Sequence, residues 1–177
     1  MPLEQVLKSL IRDVPDFPKT GVVFKDITPL LGDPAARRQV VEAIAKNYGD
    51  MRIDALAATE ARGFIFGTLL AQELAIPFIP VRKSGKLPYK KIHEEYELEY
   101  GHASIEMHTD AVKKGWRVLV HDDLLATGGT SAATARMIKN LGGEIAGFSF
   151  IINLGFLEGE KVLTQRFGVK PHYLLKY

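Results

Sequence analysis

Apolar residues at Leu3, Val6, Leu7, Leu10 and Ile11 recur at helical spacing and predict an amphipathic helix at the start of the chain, ended by Asp13 to Pro18. Asp33 followed by Pro34 reads as an N-cap with proline at the first helical position. Val40, Val41 and Ile44 continue that helix until Asn47 to Gly49 stops it. A short apolar run, Ile53 to Ala58, then predicts a strand, Gly63 to Leu74 a helix, and Pro77 to Val81 another strand. Val118 to His121, Ile145 to Ile152 and Tyr173 to Leu175 supply further strands, with a helix-compatible stretch from Ser131 to Leu141. Alternating strands and helices predict an α/β fold with right-handed crossovers and a mostly parallel central sheet flanked by helices.

The pattern breaks between Val81 and Gly115. Arg82 to Pro88 is basic and rich in turn residues, and Glu94 to Glu106 is acidic with interleaved tyrosines. Ordinary connections run to about four to six residues, so this excursion reads as a functional lid, with a two-stranded ribbon at Tyr96 to Tyr100 and Ala103 to Met107.

Composition narrows the class. With 177 residues, of which 46% are hydrophobic, the chain can bury a sizeable core, and its length favours one domain spanning 1–177. The absence of cysteine excludes disulfides and thiolate metal sites. No apolar run approaches the ~20 residues of a membrane helix, and the N-terminus lacks the basic flank and apolar centre of a secretory signal. A cytoplasmic protein without a membrane partner is the expectation. A net charge of +2 supplies no broad basic field, so no nucleic-acid partner is expected. His93, His102, His108 and His172 fall at no metal-ligand spacing.

Candidate chemistry is densest at residues 118–130. Val118 to Val120 read as a strand buried on both faces, with Asp122 and Asp123 where it emerges at its C-terminal end, the edge at which open α/β sheets bind ligands. Adjacent carboxylates accept from a vicinal diol. Ala126, Thr127, Gly128, Gly129 and Thr130 then lead into a helix N-terminus, where exposed amides and the helix dipole favour a phosphate. A Walker loop would end in Gly-Lys-Ser/Thr, which this loop lacks, so ATP-hydrolysing P-loop chemistry is disfavoured. Glu60-Ala61-Arg62-Gly63-Phe64 repeats the strand-to-helix geometry, with Arg62 beside a second helix N-terminus. Arg82, Lys83 and Lys86 concentrate positive charge of the kind a diphosphate leaving group needs.

The 118–130 segment resembles the phosphoribosyl-diphosphate motif of type I phosphoribosyltransferases. Three further segments resemble the adenine phosphoribosyltransferase family in that family's order: Gly21 to Leu30, Glu60 to Phe64, and Arg82 to Pro88 continued by Tyr96-Glu97-Leu98-Glu99-Tyr100-Gly101. The resemblance implies the type I fold with a small N-terminal hood (1–32) and a flexible lid (82–107). It implies transfer of 5-phosphoribosyl from 5-phospho-α-D-ribose 1-diphosphate to adenine, giving AMP and diphosphate in purine salvage. Asp122 and Asp123 would hold the ribose hydroxyls, and Ala126 to Thr130 the 5′-phosphate. Diphosphate falls to Ala61, Arg62, Gly63, Arg82, Lys83 and Lys86, and adenine to Val23, Phe24, Lys25 and Leu154. Phe24 would stack on the base while main-chain groups of Val23 and Lys25 meet its amine and ring nitrogen, a polarity suited to adenine rather than a 6-oxopurine. Glu99 is the implied proton carrier and Arg62 a catalytic cation. Magnesium would ride on the diphosphate and ribose rather than in a protein cage. A homodimer is implied.

Five positions depart from the family's usual residues: Ala61 for serine, Lys25 for arginine, Ser84 for proline or arginine, Asn153 for glutamate, and His121 for an apolar residue. Two alternatives stay open at this level. One is a phosphoribosyltransferase for another base. The other is a non-catalytic sensor of the activated sugar that binds nucleic acid.

Overall fold

The computed structural model describes residues 2–97 and 102–177. Helix α1 (Leu3–Leu10) is followed by strands β1 (Arg12–Pro15) and β2 (Val23–Asp26), the short helix α2 (Thr28–Gly32) and helix α3 (Pro34–Tyr48). Asp33 caps α3 as its position predicts, accepting from the amides of Ala35 and Ala36 at 2.9 and 3.0 Å. Strand β3 (Ala55–Thr59), helix α4 (Arg62–Glu73) and strand β4 (Phe78–Lys83) follow, then the ribbon β5 (Lys91–Glu97) and β6 (His102–His108). The remainder comprises β7 (Arg117–His121), β8 (Leu124–Leu125), α5 (Gly129–Asn140), β9 (Glu144–Asn153), a 3-10 turn at Gly155–Leu157, α6 (Gly159–Phe167) and β10 (His172–Lys176).

One sheet runs β10-β9-β7-β3-β4-β6-β5, with β8 paired beside β9. The strands from β10 to β4 are parallel, and β4-β6 and β6-β5 are antiparallel. Alternation along β3 divides the core. Leu56 and Ala58 face a layer with Phe66 and Leu70 of α4 and Val40 and Ile44 of α3, whereas Ala55 and Ala57 face Ala132, Met137 and Ile138 of α5. Full burial of a residue such as Phe66 or Leu70 stabilises by about 1.5–3 kcal/mol. Small residues in β3 let α4 approach, since a Cβ on Gly67 would lie 2.8 Å from that of Ala58. The α/β architecture and its parallel centre agree with the sequence expectation.

Several elements differ from it. Asp13 to Pro18 was expected only to end a helix, yet Arg12–Pro15 pairs antiparallel with Val23–Asp26, joined by the Arg12–Asp26 ion pair at 2.8 Å. That hairpin lies within residues 1–32, the segment that the resemblance assigns to a hood. The lid ribbon begins earlier, at Lys91, because Ile92, Glu94 and Tyr96 alternate inward with exposed neighbours in a run whose charges obscured the period. Its register pairs Tyr96 with Ala103. Helix α6 and the two-residue β8 carried no strong sequence signal.

Candidate active site

Parallel topology brings the C-terminal ends of five strands to one edge of the sheet. In spatial order they carry Tyr177 after β10, Leu154 after β9, the 122–130 loop after β7, Thr59 to Gly63 at β3, and Arg82 with Lys83 at β4. Pairing of Ala58 with His121 and of Thr59 with Val81 sets these loops side by side.

The acid pair is held from several directions. Asp122 Oδ1 accepts from the Asp123 amide at 2.8 Å, and Asp122 Oδ2 accepts from the Thr59 hydroxyl. Asp123, 4% exposed, pairs with the Arg62 guanidinium. Loss of solvent, followed by the adjacent Asp123 charge, pushes the Asp122 carboxyl well above the usual carboxylate range, against the Thr59 hydrogen bond. Beyond the pair, Leu124 to Ser131 and Asp122 line a cavity of about 70 Å³ at the N-terminus of α5. Gly128 turns into that helix with φ 82°, a conformation other residues rarely adopt. The helix's first amides have no intrahelical acceptor and face that end.

Arg62 spans two parts of the edge. Besides Asp123, its Nη1 donates to the Lys25 carbonyl at 3.2 Å and its guanidinium lies 4.8 Å from the Phe24 ring centre. Hood and acid pair are therefore linked through one side chain. Phe24 is half-buried and meets Phe17 edge-on, whereas Val23 is 49% exposed. Lys25 reaches Asp13 at 2.6 Å and sits 3.6 Å above the Tyr177 ring. Tyr177 also bonds through its backbone to Asn153 and Gly155, on either side of Leu154, so the chain's last residue ties the hood to the Leu154 segment. Leu154 itself donates to the Leu125 carbonyl at 2.9 Å.

On the other side, Glu60 accepts from Arg82 Nε at 2.6 Å and from the Lys83 amide at 2.9 Å. Burial works against the Glu60 anion, but Arg82 and Lys83 outweigh it and lower the carboxyl's pKa. Arg82 is thus engaged with Glu60 and with the Lys86 carbonyl at 3.0 Å. The ammonium groups of Lys83 and Lys86 are exposed and make no hydrogen bond or ion pair among the described residues. Ala61 is the first-turn flank of α4, joined to Glu60 by a cis peptide. Glu99 and Tyr100 lie outside the described residues.

Sequence reasoning missed Thr59, Tyr177 and Gly159. Thr59 follows the predicted strand Ile53 to Ala58, which in the structure extends to include it, and Tyr177 follows the last predicted strand, positions without a local chemical signature. A Cβ on Gly159 would overlap the Ala126 carbonyl and lie 3.0 Å from Gly128 N, so α6 packs on the back of the 126–130 loop. Asn153 is fully buried, donates to Glu160 on α6 at 3.2 Å, and so belongs to the same support.

His121 is also explained by burial. Its Nδ1 meets Ser149 Oγ at 3.2 Å, Nε2 has no partner among the described residues, and loss of solvent brings it down to about 4 against the Ser149 contact. It is a neutral core side chain at neutral pH. Because the folded value lies below the unfolded 6.5, the unfolded chain gains this proton first, and stability is lost as pH falls from about 6.5 towards 4. Urea unfolding of His121→Leu and the parent chain across that window should show the parent losing roughly 3 kcal/mol more than the variant. Parallel curves would exclude a buried neutral imidazole.

Residues 29–165 match the model of the phosphoribosyl transferase domain. An adenine phosphoribosyltransferase of Cytophaga hutchinsonii is 55% identical over 162 residues, covering 92% of this chain and 90% of that protein. Among solved structures, the adenine phosphoribosyltransferase of Thermoanaerobacter pseudethanolicus superimposes with a TM-score of 0.94 at 48% identity, covering 98% of this chain and 99% of that one. The Giardia lamblia enzyme complexed with 9-deazaadenine gives 0.94 at 30% identity, covering 100% and 98%.

Proposed function

The chain belongs to the phosphoribosyl transferase domain family, and from that premise we propose that it is a pentosyltransferase of purine salvage. It transfers 5-phosphoribosyl from 5-phospho-α-D-ribose 1-diphosphate to adenine, yielding AMP and diphosphate. The observation that carries this reading is Arg62, whose guanidinium touches the acid pair, the Phe24 ring and the Lys25 carbonyl. A sugar clamp and a base hood thereby share one side chain.

In this reading Asp122 and Asp123 accept from the ribose hydroxyls, and Ala126, Thr127, Gly128, Gly129 and Thr130 surround the 5′-phosphate. Anchoring the sugar at both ends positions C1 for displacement. The C1–O bond to diphosphate breaks, and positive charge develops on the ribose ring. Adenine N9 then bonds to C1 from the opposite face while its proton passes to Glu99. Ala61 and Gly63 present backbone to the departing diphosphate. Arg62, Arg82, Lys83 and Lys86 neutralise its charge. Lys83 and Lys86 are best placed to do so directly, because Arg82 already serves Glu60. Phe24 and Leu154 hold the base between them. Val23 and Lys25 read its edge through main-chain groups, once Arg62 releases the Lys25 carbonyl.

Among the described residues no group of three or more His, Asp or Glu side chains is arranged to hold a metal ion, and the oxygens at the edge are hard carboxylate donors. That donor set fits magnesium carried by the substrate, to which Asp122 and Asp123 would be joined only through the sugar or water and not as ligands. Such an ion would supply charge neutralisation on the diphosphate. The chain acts as one domain over 1–177, with hood 1–32 and lid 82–107, in a cytoplasmic homodimer. No helix among the described residues is long and apolar enough to cross a membrane.

Steady-state rates with adenine, hypoxanthine, guanine, xanthine and orotate test the assignment. Adenine should be turned over at least roughly 100-fold better than the 6-oxopurines, the discrimination expected when hydrogen-bonding groups mismatch. Fast turnover of a 6-oxopurine with none of adenine would refute it.

A further inference from the structure

We propose that Thr59 is a positioning residue for the sugar clamp, its hydroxyl fixing which edge of the Asp122 carboxylate meets the ribose. The inference rests on the reading of Asp122 as a ribose ligand. Thr59 is the last residue of β3, 3% exposed, and donates to Asp122 Oδ2 across the parallel β3-β7 pair. The other oxygen, Oδ1, accepts from the Asp123 amide. A Cβ on Gly63 would stand 2.7 Å from Oδ1, so the first turn of α4 closes over that side. The carboxylate is therefore gripped between the end of one strand, its own loop and a helix start.

An ionised carboxylate offers about four lone-pair sites. Thr59 and the Asp123 amide occupy one on each oxygen, which leaves part of the carboxylate's accepting capacity for a diol. Asp122 also stands next to Asp123 in a poorly solvated place, and both conditions favour its protonated form. The Thr59 hydroxyl works in the opposite direction. Without it, the ring hydroxyls would meet a carboxyl that rotates more freely and is ionised over a narrower pH range. Arg62, which pairs with Asp123, supplies the other charge facing this carboxyl pair. Among the described residues the Thr59 hydroxyl makes no hydrogen bond to residues 1–32, so the base should not sense its loss.

The experiment compares the parent enzyme with Thr59→Val, which keeps the shape and removes the donor, and Thr59→Ser, which restores it. kcat/KM for 5-phospho-α-D-ribose 1-diphosphate is measured against pH, with KM for adenine and thermal midpoints alongside. Thr59→Val should lose roughly 10- to 100-fold near neutral pH, the range for a hydrogen bond to a charged group, and its acid limb should move to higher pH. KM for adenine should stay within about twofold, and Thr59→Ser should approach the parent. A valine profile that superimposes on the parent overturns the proposal, as does a loss equal at every pH that serine does not recover. If the valine chain fails to fold, Thr59→Ala gives the same comparison without branching at Cβ. A parent enzyme that forms no AMP refutes the functional reading itself and takes the Thr59 role with it.

Discussion

Replacing Asp122 and Asp123 together by Asn should abolish AMP formation while the chain remains folded. Two hydrogen bonds from sugar hydroxyls to charged groups are each worth about 1.5–3 kcal/mol, so removing both charges predicts a loss of roughly 10²- to 10⁴-fold in kcat/KM for the activated ribose. Folding should survive because the backbone around the pair is independently secured: the Asp122 amide donates to the Ser149 carbonyl, and the Asp123 carbonyl accepts from Ile151 and Ile152. The single variant Asp122→Asn adds a test of sign. The raised Asp122 carboxyl means that the folded chain holds this proton more tightly than the unfolded one, so stability falls as pH rises through its folded value. Asp122→Asn should therefore melt higher than the parent at neutral pH, and that advantage should vanish below the ordinary carboxylate range. Parent-like turnover in the double variant would remove the acid pair from the sugar site.

The second large effect is expected at a glycine, Gly159 of α6, with no side chain of its own. Gly159→Ala inserts a methyl group into the Ala126 carbonyl, with Leu125 Cδ1 at 2.9 Å and Gly128 N at 3.0 Å. These are backbone and core atoms that cannot swing aside, so α6 must move off the loop or the loop must deform. Overpacking of this kind costs about 1–3 kcal/mol in stability. It should also raise KM for the activated ribose by roughly tenfold or more, since a misplacement of about 1 Å at a positioned group weakens catalysis substantially. Circular-dichroism melting and steady-state kinetics check both parts. A variant with parent melting and parent KM would show that α6 does not brace the loop.

Much of the site was legible because its chemistry is contiguous. Asp122, Asp123 and the Ala126 to Thr130 turn follow an apolar strand without interruption, so strand, acids and helix start are visible together. Glu60 to Gly63 could be read for the same reason. The hood was visible as a segment, Gly21 to Leu30, but its partner strand Arg12–Pro15 was not, because Pro15, Asp16 and Pro18 look like punctuation when no pairing partner is in view. Helix α6 was hidden for a different reason. Only Gly159 and Leu163 of it are buried, so it carries no long apolar stripe. The lid ribbon is visible but its start at Lys91 is not, since Lys91, His93, Glu94 and Glu95 hide the alternation of Ile92 and Tyr96.

His121 illustrates the boundary between the two kinds of information. Next to two acids it invites a catalytic role, and only the surrounding core, with Ser149 on one ring nitrogen and Gly67 packed against the ring, makes it a buried neutral side chain. Arg82 is comparable: its position after a strand is evident, but its engagement with Glu60 arises from the neighbouring strand.

By itself, the order of apolar runs, turns and charges along the chain determined the α/β class, the parallel centre and the segments that carry chemistry, because each depends on residues within about a dozen positions of one another. Tertiary structure alone decided which oxygens of Asp122 are engaged, that Arg62 bridges the acid pair and Phe24 with Lys25, that Tyr177 joins Lys25 to the Leu154 segment, and that Gly159 backs the 126–130 loop. Those contacts join residues from Thr59 to Asp122, Lys25 to Tyr177 and Ala126 to Gly159, and parallel strand order, rather than local spacing, is what sets them side by side.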